Sequence, residues 1–81
     1  MDFRTNIFDV KELRQEMLLM NLNDVVETLR KKGYNPTNQL VGYIISGDDK
    51  YITSANGARK KITKYDRSEL LMAIINSYLG L

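Results

Sequence analysis

The chain has 81 residues, a net charge of +2, and neither cysteine nor histidine. That length supports one domain, with a core so small that only about 60–65% of the unfolded surface is buried, so self-association is an expectation from size alone. The missing residue types exclude disulfides, thiolate catalysis, sulfur-ligated metals, the usual zinc ligand and the usual neutral-pH proton shuttle.

Residues 1–8 precede the first helix-start signal and are expected to form a flexible N-terminal tail. Their one hydroxyl side chain is Thr5. A kinase needs an extended, accessible hydroxyl, which such a tail supplies, so Thr5 is the candidate phosphorylation site. The first residues lack the hydrophobic stretch of a signal peptide. No apolar run approaches the roughly 20 residues of a membrane span, so the expectation is a cytoplasmic chain without membrane insertion.

Residues 9–81 carry no repeat and no low-complexity linker, and are expected to form a single helical domain. Asp9 with Glu12 three residues later makes a capping-box-like start. Leu13, Met17, Leu18, Leu22, Val25, Val26 and Leu29 then return every three or four residues, predicting a long amphipathic helix to Lys32. Asn21, Asn23 and Asp24 compete for backbone hydrogen bonds and leave open a break near Asn21 with a restart at Asn23. Gly33, after Lys31 and Lys32, suits the positive φ that follows a helix end; Asn35 then caps a new helix with Pro36 at its first position. That helix is short, ends near Ser46 with Gly47 as its stop, and offers Leu40, Val41, Ile44 and Ile45 as a broad apolar face. Gly42 leaves room for another backbone to approach.

Asp48 or Asp49 caps a turn through Tyr51 and Ile52. Ala55, Ala58, Ile62 and Tyr65 mark a third helix with a basic outer face, its start blurred by Gly57. Asp66 and Glu69 give a second capping-box-like start, followed by Leu70, Leu71, Ile74, Ile75, Tyr78 and Leu79 at helical spacing. Neither Gly42–Ile45 nor Tyr51–Thr53 alternates as a half-buried strand does, so the fold class is all-α, a small single domain of four or five helices.

Little here can assemble a reaction centre, so the expectation is a non-enzyme with no cofactor and no metal. Asp48 and Asp49 are accounted for by the capped turn, and the glycines are too scattered for a phosphate-binding loop. Two surfaces remain as candidate partner contacts. One is Tyr34, Asn35, Asn38, Gln39 and Tyr43, which cap and turn chemistry also explains; the amides of Asn38 and Gln39 either brace a loop or bond a neighbouring subunit. The other is the basic run of Arg59, Lys60, Lys64 and Arg67. This run is a solvated helix face, a protein-partner surface, or the reading face of a helix-turn-helix-like nucleic-acid binder. The connector from Ser46 to Ser54 is longer than that motif usually has, which disfavours nucleic acid. An accessory subunit that buries its apolar stripes on a larger enzyme is a further alternative.

The stretch from Lys32 to Asp48, reading Lys-Gly-Tyr-Asn-Pro-Thr-Asn-Gln-Leu-Val-Gly-Tyr-Ile-Ile-Ser-Gly-Asp, closely resembles the signature of the IreB family, small regulatory phosphoproteins of low-GC Gram-positive bacteria. Tyr51-Ile52, Asn56 to Arg59, Ile62, Lys64, Arg67, Glu69 and Ser77-Tyr78-Leu79 also fall where that family has its motifs. The resemblance covers roughly residues 25 to 80. It implies a homodimeric regulator in cell-envelope stress responses that acts by binding an unknown downstream protein target. It also implies a membrane-anchored Ser/Thr kinase with PASTA repeats that phosphorylates two tail threonines. Thr5 corresponds by position to the second; Asp2 stands where the first would be.

Overall fold

The structure, a computed structural model, describes residues 9–81. The expected tail and Thr5 lie outside the described residues. Four α-helices account for most of the remainder: α1 (Val10–Lys31), α2 (Pro36–Ser46), α3 (Ala58–Thr63) and α4 (Arg67–Leu79). Two single 3₁₀ turns, Asp49–Tyr51 and Ala55–Gly57, lie between α2 and α3. The described residues contain no strand.

The helix ends follow from local chemistry. The Asp9 side chain accepts from the Lys11 N–H at 2.9 Å and opens α1. At the far end Gly33 takes φ +83°, the Gly33 N–H reaches the Arg30 carbonyl and the Tyr34 N–H reaches that of Leu29, which is a Schellman closure. Two residues later the Asn35 side chain accepts from the Asn38 N–H at 3.0 Å, with Pro36 in the first turn of α2. Gly47, at φ +75°, terminates α2.

Helix α1 runs unbroken through Asn21 and Asn23, as the long-helix pattern predicts and where the sequence leaves a break open. The Asn21 amide does not turn back on its own backbone; it donates to the Tyr65 hydroxyl at 2.8 Å, so a tertiary partner removes the competition that favours a break. The third helix is shorter than the pattern predicts. Asn56 and Gly57 both hold left-handed φ, +53° and +70°, which no α-helix accommodates, so α3 begins only at Ala58 and Tyr65 lies in the linker beyond it. At the start of α4, Asp66 occupies the cap position without a side-chain cap bond; the Glu69 carboxyl pairs with Arg14 of α1 and also meets the Asp66 backbone N–H, so only the reciprocal half of the capping box forms.

The core draws on every segment: Leu18, Val25 and Leu29 of α1, Tyr43 of α2, Ile52 of the connector, Ala58 and Ile62 of α3, Tyr65, and Leu70 and Ala73 of α4. Leu40 and Ile44 pack against it from the side. Only part of each predicted stripe is used. The expected face of α2 splits, with Val41 and Ile45 exposed, and in α4 Leu71, Ile75, Tyr78 and Leu79 are exposed. The N-terminal half of α1 projects past the main core, leaving Val10, Leu13 and Met17 uncovered.

Ile52 is fully buried although it lies in a connector rather than a helix. Replacing it with alanine removes three carbons from the middle of the core and is expected to cost about 2–5 kcal/mol. Urea unfolding followed by far-UV circular dichroism measures this, and a loss under about 1 kcal/mol would contradict the placement.

Candidate functional site

The connector between α2 and α3 is held by side chains that the sequence offers as partner contacts. The Gln39 side-chain amide donates to the Tyr51 carbonyl at 2.8 Å. Of its two open roles, bracing a loop is therefore the one its amide performs. The Arg59 Nε–H is shared between the carbonyls of Asp49, at 3.1 Å, and Ile52, at 2.9 Å. Asp48 accepts from the Lys50 N–H at 3.0 Å and so caps the first 3₁₀ turn.

The two glycines of this region are contact points. A Cβ on Gly42 would come within 2.5 Å of the Tyr51 ring, so the ring lies directly on the α2 backbone. A Cβ on Gly47 would meet the Arg67 guanidinium at 2.9 Å, and that group donates through Nη1 to the Ile44 carbonyl at 3.0 Å. Arg67 thereby ties the start of α4 to the open C-terminal end of α2, where helix carbonyls lack partners.

The basic run therefore does not form one charged face. Arg59 and Arg67 serve backbone carbonyls, and the neighbouring Lys61 pairs with Asp24 at 3.4 Å. Lys60 and Lys64 are exposed, Lys64 with its ammonium 5.6 Å from the centre of the Tyr65 ring. With the partly buried Arg59 shared between two carbonyls and the exposed Arg67 bonded to a third, the run leaves a thin footprint for a phosphate backbone. In the other predicted surface Tyr43 is a core residue, 5% exposed, and burial pushes its phenol up while Arg67 opposes the shift. Tyr43 is thus not at the rim with Tyr34. Tyr34, Asn35 and Asn38 are exposed at the α1–α2 corner, Asn35 with its side-chain oxygen given to the cap.

The exposed apolar faces on α1, α2 and α4 are the ones expected of stripes too wide for so small a core. What escapes the sequence is a cluster around Tyr65: Arg14 stacks on the ring at 5.1 Å from its centre and forms a two-point ion pair with Glu69. Arg14 and Glu69 stand 55 positions apart, so no spacing rule joins them. The hydrogen bond and charge of Arg14 hold the Glu69 carboxyl below its ordinary range, and Glu69 raises the Arg14 guanidinium in return. Among the described residues no three acidic side chains gather as a metal site would require, and no helix is long and apolar enough to cross a membrane.

Two outcomes test this division of roles. Arg59→Ala strips the Asp49 and Ile52 carbonyls of a charged donor and is expected to destabilise the fold by about 1–3 kcal/mol, whereas Lys60→Ala stays within about 0.5 kcal/mol in the same urea titration. Because the folded pKa of Glu69 is depressed, its contribution is present above the unfolded glutamate value of about 4.3 and fades as pH falls through the lower folded value. Glu69→Gln is expected to remove that part of the acid limb, read from urea midpoints measured below pH 5 on both proteins.

The model of one protein family, described as the IreB regulatory phosphoprotein, matches residues 3–80. That span takes in nearly the whole chain, including the Gly42–Tyr51 contact, the Arg59 clamp and the Tyr65 cluster. The chain belongs to the IreB regulatory phosphoprotein family.

Proposed function

We propose that this regulatory protein is non-catalytic and cytoplasmic, works by binding other proteins, and self-associates as a homodimer. In this reading a PASTA-repeat Ser/Thr kinase phosphorylates Thr5, and the phosphate changes which partner is bound in a cell-envelope stress response. The observation that carries the binding role is the exposed apolar surface. Ile45 is 78% exposed and Tyr78 87%, with Val41, Leu71, Ile75 and Leu79 alongside on the same two helices. A chain this small leaves so much apolar surface uncovered at a cost in solubility, unless a partner covers it. Family membership supports regulation by phosphate, and Thr5 is the one hydroxyl of residues 1–8.

The nucleic-acid alternative draws little support from a basic run whose two arginines are engaged within the chain. The partner surface left by the fold is instead apolar, on α2 and α4, and polar at the corner of Tyr34, Asn35 and Asn38.

Sedimentation equilibrium on the purified chain is expected to give the dimer mass. Ile45→Glu or Ile75→Glu, each on an exposed position that the core does not use, is expected to shift the equilibrium at least tenfold toward monomer, about 1.4 kcal/mol. A monomer at high concentration would remove the homodimer from this reading. Incubation with the host's PASTA kinase is expected to add one phosphate, absent from Thr5→Ala, by intact mass and peptide mapping; no phosphate at Thr5 would point to a constitutive binding role.

A further inference from the structure

Arg14 is held on two sides before any ligand arrives. Tyr65 lies beneath its guanidinium, and Glu69 accepts from its Nε and Nη2. A guanidinium has five N–H donors, so three are left for another acceptor, and the side chain is 54% exposed. Its orientation is already set, which lowers the entropic cost of binding a further anion. The Lys64 ammonium, 5.6 Å from the centre of the same ring, adds a second cation to the cluster. Glu69 supplies one negative charge against these two positive ones.

An apolar groove adjoins the cluster. Val10, Leu13, Met17, Arg14 and Tyr65 enclose about 190 Å³. About 150 Å³ of apolar space is enough for a benzene ring. The groove begins at Val10, one residue after the Asp9 cap, where the preceding eight residues join the helix. Those eight carry Phe3, Ile7 and Phe8 around Thr5. Phe8 immediately precedes the cap and Leu13 is the fourth residue of the helix, the two positions that pair in a hydrophobic staple. A chain turning back at Asp9 has the reach: Thr5 is four residues away, at most about 14 Å when extended. Arg14 lies about 7.5 Å along the helix axis from the cap.

What the unmodified segment lacks is net negative charge to offer Arg14 and Lys64, since Asp2 and Arg4 offset each other. Phosphate on Thr5 adds about −1.5 to −2 charges and three strong acceptor oxygens. We propose that the eight residues before Asp9, once phosphorylated on Thr5, fold back along α1 and dock in this groove, the phosphate on Arg14 and Lys64 and Phe8 against Leu13. The proposal rests on the reading of Thr5 as the phosphate acceptor. Docking covers Val10, Leu13 and Met17, so the modification withdraws one exposed apolar face from other partners and so alters binding without a change of fold.

The test uses the full chain with phosphothreonine placed at position 5 during synthesis. No kinase is involved, so failure of a kinase to modify Thr5 counts against the acceptor reading alone. In nitrogen-resolved NMR the phosphorylated chain is expected to show shifted amides from Val10 to Met17 and a shifted Arg14 Nε–H relative to the unmodified chain. Amide exchange in residues 2–8 is expected to slow by about tenfold, the protection that a docked-to-free ratio of about ten confers. These changes are expected to persist on dilution and to weaken in high salt. Arg14→Lys, which keeps charge but loses the fork, and Lys64→Gln, on an exposed position that does not endanger folding, are each expected to return residues 2–8 to the exchange of the unmodified chain. Unchanged exchange after phosphorylation would overturn the proposal, as would docking that survives both substitutions. Changes that appear only as concentration rises would also overturn it, assigning the groove to a second copy of the chain.

Discussion

The fold depends on how the non-helical connector between α2 and α3 is held. Ile52 must enter the core for a chain of this size to close, yet the backbone around it has no helix to satisfy its carbonyls. Two side chains answer that need from opposite sides. Gln39 of α2 takes the Tyr51 carbonyl, and Arg59 of α3 takes those of Asp49 and Ile52. The bare backbone at Gly42 lets the Tyr51 ring press against α2, closing the same gap by packing. Of the three carbonyls that of Ile52 is partly buried, and a buried polar group left without a partner costs more than a typical hydrogen bond contributes, so the Arg59 donor offsets part of the cost of burying this residue.

With the connector pinned, α3 is oriented against α1 and the Tyr65 linker is carried to the projecting half of that helix. There Asn21 and Arg14 meet one tyrosine, and Glu69 holds Arg14 from the side. The exposed ion pair is modest by itself, since surface ion pairs contribute little. Together they position the Arg14 guanidinium on the wall of an apolar groove at the start of α1, with the Lys64 ammonium near the same tyrosine ring. The same arrangement explains why so much apolar surface remains uncovered: the core is filled by ten residues from six segments, and the outer halves of the α2 and α4 stripes have nothing left in the chain to pack against. Among the described residues the surface is divided between apolar helix faces and a small cationic cluster around Tyr65.

The most distinctive run of residues, from Lys32 to Asp48, proves to be mainly architectural. Gly33, Asn35 and Pro36 turn the chain; Gln39 and Gly42 hold the connector; Tyr43 fills the core; Gly47 makes room for Arg67. A signature of this kind reads mainly as scaffold, while Tyr34, Val41 and Ile45 are its large apolar members that stay exposed.

The ends of α1 and α2 were legible in the residues alone. The Asp9 cap, the Gly33 closure, the Asn35-Pro36 start and the Gly47 stop all depend on hydrogen bonds and φ angles within five positions, and so the sequence by itself determined these two helices and the turn between them, whereas the number of helices, four or five, and the late start of α3 at Ala58 waited for the structure. It determined equally that no thiol or imidazole chemistry is present. Tertiary structure decided everything that depends on separation in the chain. It joined Asn21 to Tyr65 and so kept α1 whole, set Arg14 against Glu69, and turned Arg59 and Arg67 from a basic face into carbonyl clamps. It also chose Tyr43 over Val41 and Ile45 for the core. The physical reason is that an apolar stripe wider than its contact leaves the buried half to the crossing geometry of the helices, and a charge finds its partner only after the backbone has brought distant carbonyls and rings within reach.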